Sequence, residues 1–183
     1  MEQNEEFVSF PKMPRLSRDV VVTEKIDGTN AQVFITDDFR MFVGSRNKWI
    51  QPGKQDNAGF AGWCEANKEE LMKLGPGRHF GEWWGKGIQR GYGLSEKKFS
   101  LFNAERWADP SVRPACCDVV PVLYKGPFDT AAIEEVLRKL KESGSVAAPG
   151  FMNPEGIIVY HTAGNFGMKK TIDNDGMPKS LVK

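Results

Sequence analysis

With 183 residues, 40% of them hydrophobic, 11% aromatic and 27% charged, the chain has the size and composition of one soluble globular domain, which excludes a disordered or fibrous polypeptide. Lys and Arg number 25 against 24 Asp and Glu, so a uniformly basic nucleic-acid coat is excluded while a local basic groove is not. No window approaches a membrane-spanning apolar run, and the acidic opening MEQNEEF lacks the regions of a secretory leader, so the expected location is the cytoplasm. Cys64, Cys116 and Cys117 have neither disulfide-framework nor zinc spacing and read as reduced structural residues.

In chain order, residues 20–26, 31–36 and 39–46 read as three strands joined by the turns DGTN and DD, and are expected to be antiparallel neighbours. The stretch 47–60, rich in Gly, Asn and Gln, reads as a surface loop or a lid. A short helix is expected over 65–74, ended by Gly75-Pro76-Gly77. Strands follow at 79–84, 98–107 and 119–124, then a helix over 129–142 with Ile133, Val136, Leu137 and Leu140 on one face, then strands at 155–162 and 165–172. Most strands follow one another with no helix between them. The expected class is therefore α+β, antiparallel sheets with flanking helices in a single domain over 1–183.

Chemistry concentrates around Thr23-Glu24-Lys25-Ile26-Asp27-Gly28-Thr29-Asn30. A lysine at a strand end followed by Asp-Gly puts an amine at the rim of a tight turn whose backbone N–H groups can meet a phosphate, although a plain hairpin turn has the same pattern. Glu155 opens the apolar run Gly156–Tyr160, where a carboxylate suits a divalent cation or a strand-end salt bridge. Glu82, between Phe80 and two tryptophans, is expected to be buried and to need partners. Alternation puts Phe102 on the opposite face from Phe99 and Leu101, where its ring could stack on a purine or pack in a core. From Arg78 to Lys98, five cations with Trp83, Trp84 and Tyr92 interleaved read as a polynucleotide surface or a solvated face.

In order, EKIDGTN, Gly44-Ser45-Arg46, Phe80-Gly81-Glu82, FSLFN at 99–103, EGIIVY at 155–160 and Met168-Lys169-Lys170 resemble the covalent nucleotidyltransferase superfamily of ATP-dependent ligases and capping enzymes, and most of all the phage-type RNA ligase family. The resemblance covers 23–170 and implies an ATP-grasp-like ligase catalytic domain that uses ATP with Mg²⁺ or Mn²⁺. It implies Lys25 as the nucleophile that becomes lysyl-AMP, with Lys169 and Lys170 beside the phosphates. Glu24, Ile26, Asn30, Arg46, Glu82 and Phe102 would then contact the nucleotide, and Glu155 the metal. AMP would pass to an RNA 5′-phosphate that a 3′-hydroxyl then seals, in phage or bacterial RNA repair, by a monomer. A DNA ligase core and a non-catalytic ATP- or RNA-end-binding protein stand as alternatives. The chain departs from the family in one place. Lysines one residue apart are the family pattern, whereas Lys169 and Lys170 are adjacent, so alternation sends them to opposite faces and Lys169 is expected to face the phosphates. Only 13 residues follow Lys170, so no C-terminal OB-fold domain is expected.

Overall fold

The computed structural model describes residues 6–177 and 181, so residues 1–5 of the acidic opening lie outside it. In chain order the elements are β1 (Asp19–Lys25), β2 (Thr29–Ile35), β3 (Met41–Ser45), α1 (Phe60–Ala66) and α2 (Lys68–Leu71), the last continued by a 3₁₀ turn at Met72–Leu74. Then come β4 (Gly77–Gly85), β5 (Lys97–Leu101), α3 (Ala104–Trp107), β6 (Asp118–Val119), β7 (Val122–Pro127), α4 (Thr130–Ser143), β8 (Gly156–His161) and β9 (Phe166–Thr171). They build two sheets, in the orders β7-β1-β8-β9 and β3-β2-β4-β5-β6. Every pairing is antiparallel except β5 with β6, which makes this the α+β class expected from the strand succession. No helix among the described residues is long and apolar enough to cross a membrane.

Contrary to expectation, β1 and β2 are not neighbours. The DG segment carries the chain out of the four-stranded sheet and into the five-stranded one. It is held there by packing, because Gly28 lies so close to β4 that a Cβ would come within 2.4 Å of the Trp83 carbonyl oxygen. The chain returns once, between β6 and β7, at Val120-Pro121. Proline has no N–H for a ladder, so the stretch expected as one strand at 119–124 is split between the sheets. The crossings are side by side, with the Glu24 amide donating to the Pro121 carbonyl at 3.0 Å. Ile26 and Val120 pack with Trp84, Tyr92, Ala104 and Ala148 into a small core at this joint.

Each sheet has one covered face. On the four-stranded sheet, Val20, Val22, Ile157 and Val159 meet Ile133 and Leu140 of α4. That helix starts where Asp129 caps it, its carboxylate accepting from the Ala131 amide at 2.9 Å. On the five-stranded sheet, Val33, Ile35, Trp83, Phe99 and Leu101 pack under Phe60, Cys64 and Leu71 of α1 and α2. Phe60 lies 4.9 Å from Phe99 and 5.4 Å from Trp83 between ring centroids. Such pairs contribute about 0.5–1.5 kcal/mol beyond area burial. The first helix thus begins five residues before the expected 65, because Phe60 supplies the apolar anchor. The expected strand at 98–107 stops early, since the Asn103 side chain caps α3 by accepting from the Arg106 amide at 3.0 Å.

Candidate active site

The uncovered faces of the two sheets enclose a cleft of about 1060 Å³. Strand alternation decides which side chains enter it: those of Val21, Thr23 and Lys25 of β1 line the cleft, while Val20 and Val22 turn toward α4 and the Glu24 carboxylate turns to the loop after it. The Lys25 ammonium donates to Glu155 Oε2 at 2.5 Å, and Glu155, just before β8, is only 2% exposed. Lys25 pairs with Gly156 across the ladder, so these side chains meet although 130 residues separate them. Its immediate charged partner is this carboxylate, and Lys169 lines the same cleft.

From the facing sheet, Glu82 of β4 accepts from the Gly28 amide and from Asn30 Nδ2, both at 3.0 Å, and Asn30 is its cross-strand partner. Burial pushes the Glu82 carboxyl up to about 7; the Gly28 N–H and the Lys25 charge work against that rise, and the Glu155 charge adds to it. Arg46, just past β3, lines the same cleft, as does Phe102, just past β5 and 41% exposed. Ile26 borders the cleft while packing in the joint core.

The adjacent lysines part company. Lys169 stands opposite Ile158 and lines the cleft, whereas Lys170 stands opposite Ile157, whose side chain packs under α4. Lys170 accordingly meets Glu134 of α4 at 3.1 Å and the cleft-lining Asp175 at 3.6 Å; unlike Lys169 it does not itself line the cleft, which is the split that alternation leads one to expect and counts against the place beside the phosphates that the resemblance implies for Lys170. Glu24 borders the cleft, but alternation turns its side chain away. Its carboxylate, 1% exposed, accepts from Ser145 Oγ at 2.6 Å and from the amides of Val146 and Ala147 at 2.8 and 2.9 Å. It fastens the loop after α4, and any contact with a base falls to its main chain.

Arg90 and Tyr92 were not singled out as site residues, yet they brace it. Arg90 Nε donates to Asp27 Oδ2 at 3.1 Å, and its Nη1 donates to the carbonyls of Asn153 and Pro154 at 2.9 and 3.2 Å, so one guanidinium joins the Lys25 turn to the approach of Glu155. The Tyr92 hydroxyl accepts from the Asp27 amide at 2.8 Å. The available signal was a bulky cation and a ring amid Gly87, Gly91 and Gly93, in a loop where Gln89 and Tyr92 take φ of 46° and 52°. Over 78–98 the rings do not interleave with the cations at the surface: Trp83, Trp84 and Tyr92 are buried and Arg90 is bonded to Asp27, while Arg78, Lys86 and Lys97 are exposed, Lys97 donating to the Ala58 carbonyl, and Lys98 pairs with Asp118. The 47–60 stretch is fastened as well, through Asn57, which accepts from Thr29 Oγ1 at 2.9 Å and donates to the Asn30 carbonyl at 3.2 Å.

The family model described as RNA ligase matches residues 18–172, a span that runs from β1 through β9. The chain belongs to the RNA ligase family. Among solved structures, a Naegleria gruberi RNA ligase variant with ATP and Mn has a TM-score of 0.64 at 23% identity, over 85% of this chain and 50% of that one. A second variant of that ligase, with AMP and Mn, has a TM-score of 0.64 at 22% identity, over 84% and 49%. At these identities the likeness is one of fold, and this RNA ligase family member spans about half the length of those proteins. No curated protein matches its sequence significantly.

Proposed function

We propose that this domain is the nucleotidyl-transfer core of an ATP-dependent RNA ligase. The observation that carries the reading is the meeting of Lys25 and Glu155 at 2.5 Å in a cleft that also receives Asn30, Arg46, Glu82, Phe102 and Lys169. A lysine amine is a competent nucleophile toward phosphorus once it has released its proton. In the first step the Lys25 nitrogen forms a bond to the α-phosphorus of ATP and the bond to pyrophosphate breaks. The AMP then moves to an RNA 5′-phosphate, and a 3′-hydroxyl displaces AMP from that end to close the phosphodiester.

The residues divide the work by their chemistry. Lys169 and Arg46 oppose the charge of the phosphate chain, with Arg46 able to grip two oxygens at once. Phe102 offers a ring to adenine, and Glu82 and Asn30 offer polar groups to the ribose and phosphates. Arg90 and Tyr92 position the Lys25 turn through Asp27.

Among the described residues no cluster of three His, Cys, Asp or Glu could hold a metal by itself. A single buried carboxylate beside the phosphate path suits Mg²⁺ or Mn²⁺ that shares its coordination with phosphate oxygens, and Glu155 would hold it. Such an ion supplies charge neutralisation to the triphosphate.

The reading is tested by incubating the chain with α-labelled ATP and Mg²⁺ or Mn²⁺. Covalent label on the wild type that survives denaturation in alkali, is released by acid as a phosphoramidate must be, and disappears in Lys25→Ala supports it. Label that survives Lys25→Ala, or no label on the wild type under either metal, overturns it. Sealing assays on nicked RNA, nicked DNA and single strands then distinguish RNA from DNA as substrate.

A further inference from the structure

Beyond the cleft, on the same uncovered face of the five-stranded sheet, three large rings meet at the surface. Phe34 and Phe42 pair directly across β2 and β3, and Trp49 joins them from the following loop, with centroid separations of 5.9 to 6.2 Å. Phe42 is 39% and Trp49 50% exposed, so the cluster is not the rim of a core. Arg78, opposite Phe34 across β2 and β4, holds its guanidinium 4.3 Å from the Phe34 ring centroid and 5.5 Å from that of Trp49. Arg78 forms no ion pair among the described residues, whereas Arg40, 5.8 Å from the Phe42 ring, is paired with Asp38. Two residues along β4 from Arg78, Phe80 is 51% exposed, and both line the cleft, so rings and cleft form one continuous surface.

We propose that this cluster is a stacking platform for a single-stranded polynucleotide, with bases on Trp49 and Phe42 and a phosphate on Arg78, as the strand leaves the cleft across β4 and β2 toward β3. Exposed rings grouped with cations suit this occupant for two reasons. Every base has a π face, so stacking tolerates any sequence. A guanidinium lying over a ring keeps its N–H edge for phosphate oxygens while the ring holds it in place. The location follows from the ligase reading, since a strand whose end reacts at Lys25 must leave the cleft over one of its walls. This wall carries the rings.

The test uses the full chain and a fluorescein-labelled, 5′-phosphorylated single-stranded RNA of about twelve nucleotides, a length in the range such surfaces cover. Trp49→Ala is expected to weaken binding about tenfold, and Trp49→Ala with Phe42→Ala further. Arg78→Gln, which keeps the rings, is expected to lower the slope of log affinity against log salt by about one. Covalent labelling from ATP, read after denaturing electrophoresis at alkaline pH, should stay within about twofold of wild type in Trp49→Ala, which also reports that the domain is folded. Labelling retained with RNA affinity unchanged in the double variant removes the platform and leaves the ligase reading standing. RNA binding that depends on Trp49 in a chain that takes no label from ATP keeps the platform and removes the ligase reading. Sedimentation showing that wild type self-associates and Trp49→Ala does not makes the rings a contact between copies and overturns the proposal.

Discussion

The four-stranded sheet brings Lys25, Glu155 and Lys169 to the cleft beside the ring of Tyr160, whereas the five-stranded sheet brings most of the rings and amides, through Phe102, Phe80 and Asn30, together with Arg46, Arg78 and the raised carboxyl of Glu82. Their backing differs in the same sense. Behind the Lys25 wall lies an aliphatic layer under α4, and behind the ring-rich wall an aromatic core of Phe60, Trp83 and Phe99. Bond-making at phosphorus needs charges held at fixed separations, while recognition of a base needs flat area. The comparison therefore sets the Lys25–Glu155 pair on one wall and most of the flat ring area on the other.

The largest effect expected to break or sharpen this division is at Lys25. Lys25→Arg keeps a cation beside Glu155 but has no amine able to attack phosphorus at working pH, so labelling from ATP should fall by at least about a thousandfold while the fold survives. Substantial label on that variant would move the chemistry off the Lys25 wall.

Next is the pH response of the opposite wall. Burial raises Glu82 from the ordinary value of 4.5 to about 7, so the folded state keeps a proton that the unfolded chain releases at lower pH. Its contribution to stability is whole below about pH 4.5 and is lost as pH rises through 7, by about 3 kcal/mol in all. Denaturant unfolding of wild type and Glu82→Gln at pH 5 and pH 8 measures it, since the variant should fall less. A difference between the two proteins that stays constant over that range would show that Glu82 does not titrate there.

The adjacent lysines give an internal control. Lys169→Ala should lower the rate of labelling about a hundredfold, an electrostatic effect of about 2.7 kcal/mol, and Lys170→Ala should change it by less than about threefold. Equal losses would mean that Lys170 also reaches the phosphates. Smaller still, Phe102→Leu should raise the KM for ATP about tenfold with kcat nearly unchanged, because a stacking ring holds ground state and transition state alike. A fall in kcat at constant KM would place Phe102 in transfer and blur the division.

What could be read from the residues depended on the range of the interaction. Period-two and period-3.6 patterns are local, so the strands around Lys25 and the helix capped by Asp129 emerged close to their observed bounds. Alternation also separated Lys169 from Lys170 before any coordinates. Partner choice between sheets is not local. Nothing in DGTN says that Gly28 will lie against Trp83 instead of closing a hairpin, and nothing in Glu24 says that three donors await it after α4. The bracing by Arg90 was hidden for the same reason, since its acceptors come from Asp27 and from Asn153 and Pro154, far away in both directions along the chain. The rings at Phe34, Phe42 and Trp49 read as ordinary strand and loop apolar residues, because only the assembled sheet shows that their face has no helix over it.

The two side-by-side crossings have a mechanical corollary. Among the described residues the chain passes between the sheets only at Ile26–Gly28 and at Val120-Pro121, joined by the Glu24-to-Pro121 hydrogen bond. Two bodies tied along one line turn about that line, and atoms near an axle travel least. Lys25 is next to the axle. Any rocking of one wall against the other would carry the ring of Phe102 and the outlying Trp49 through wider arcs than the nucleophile.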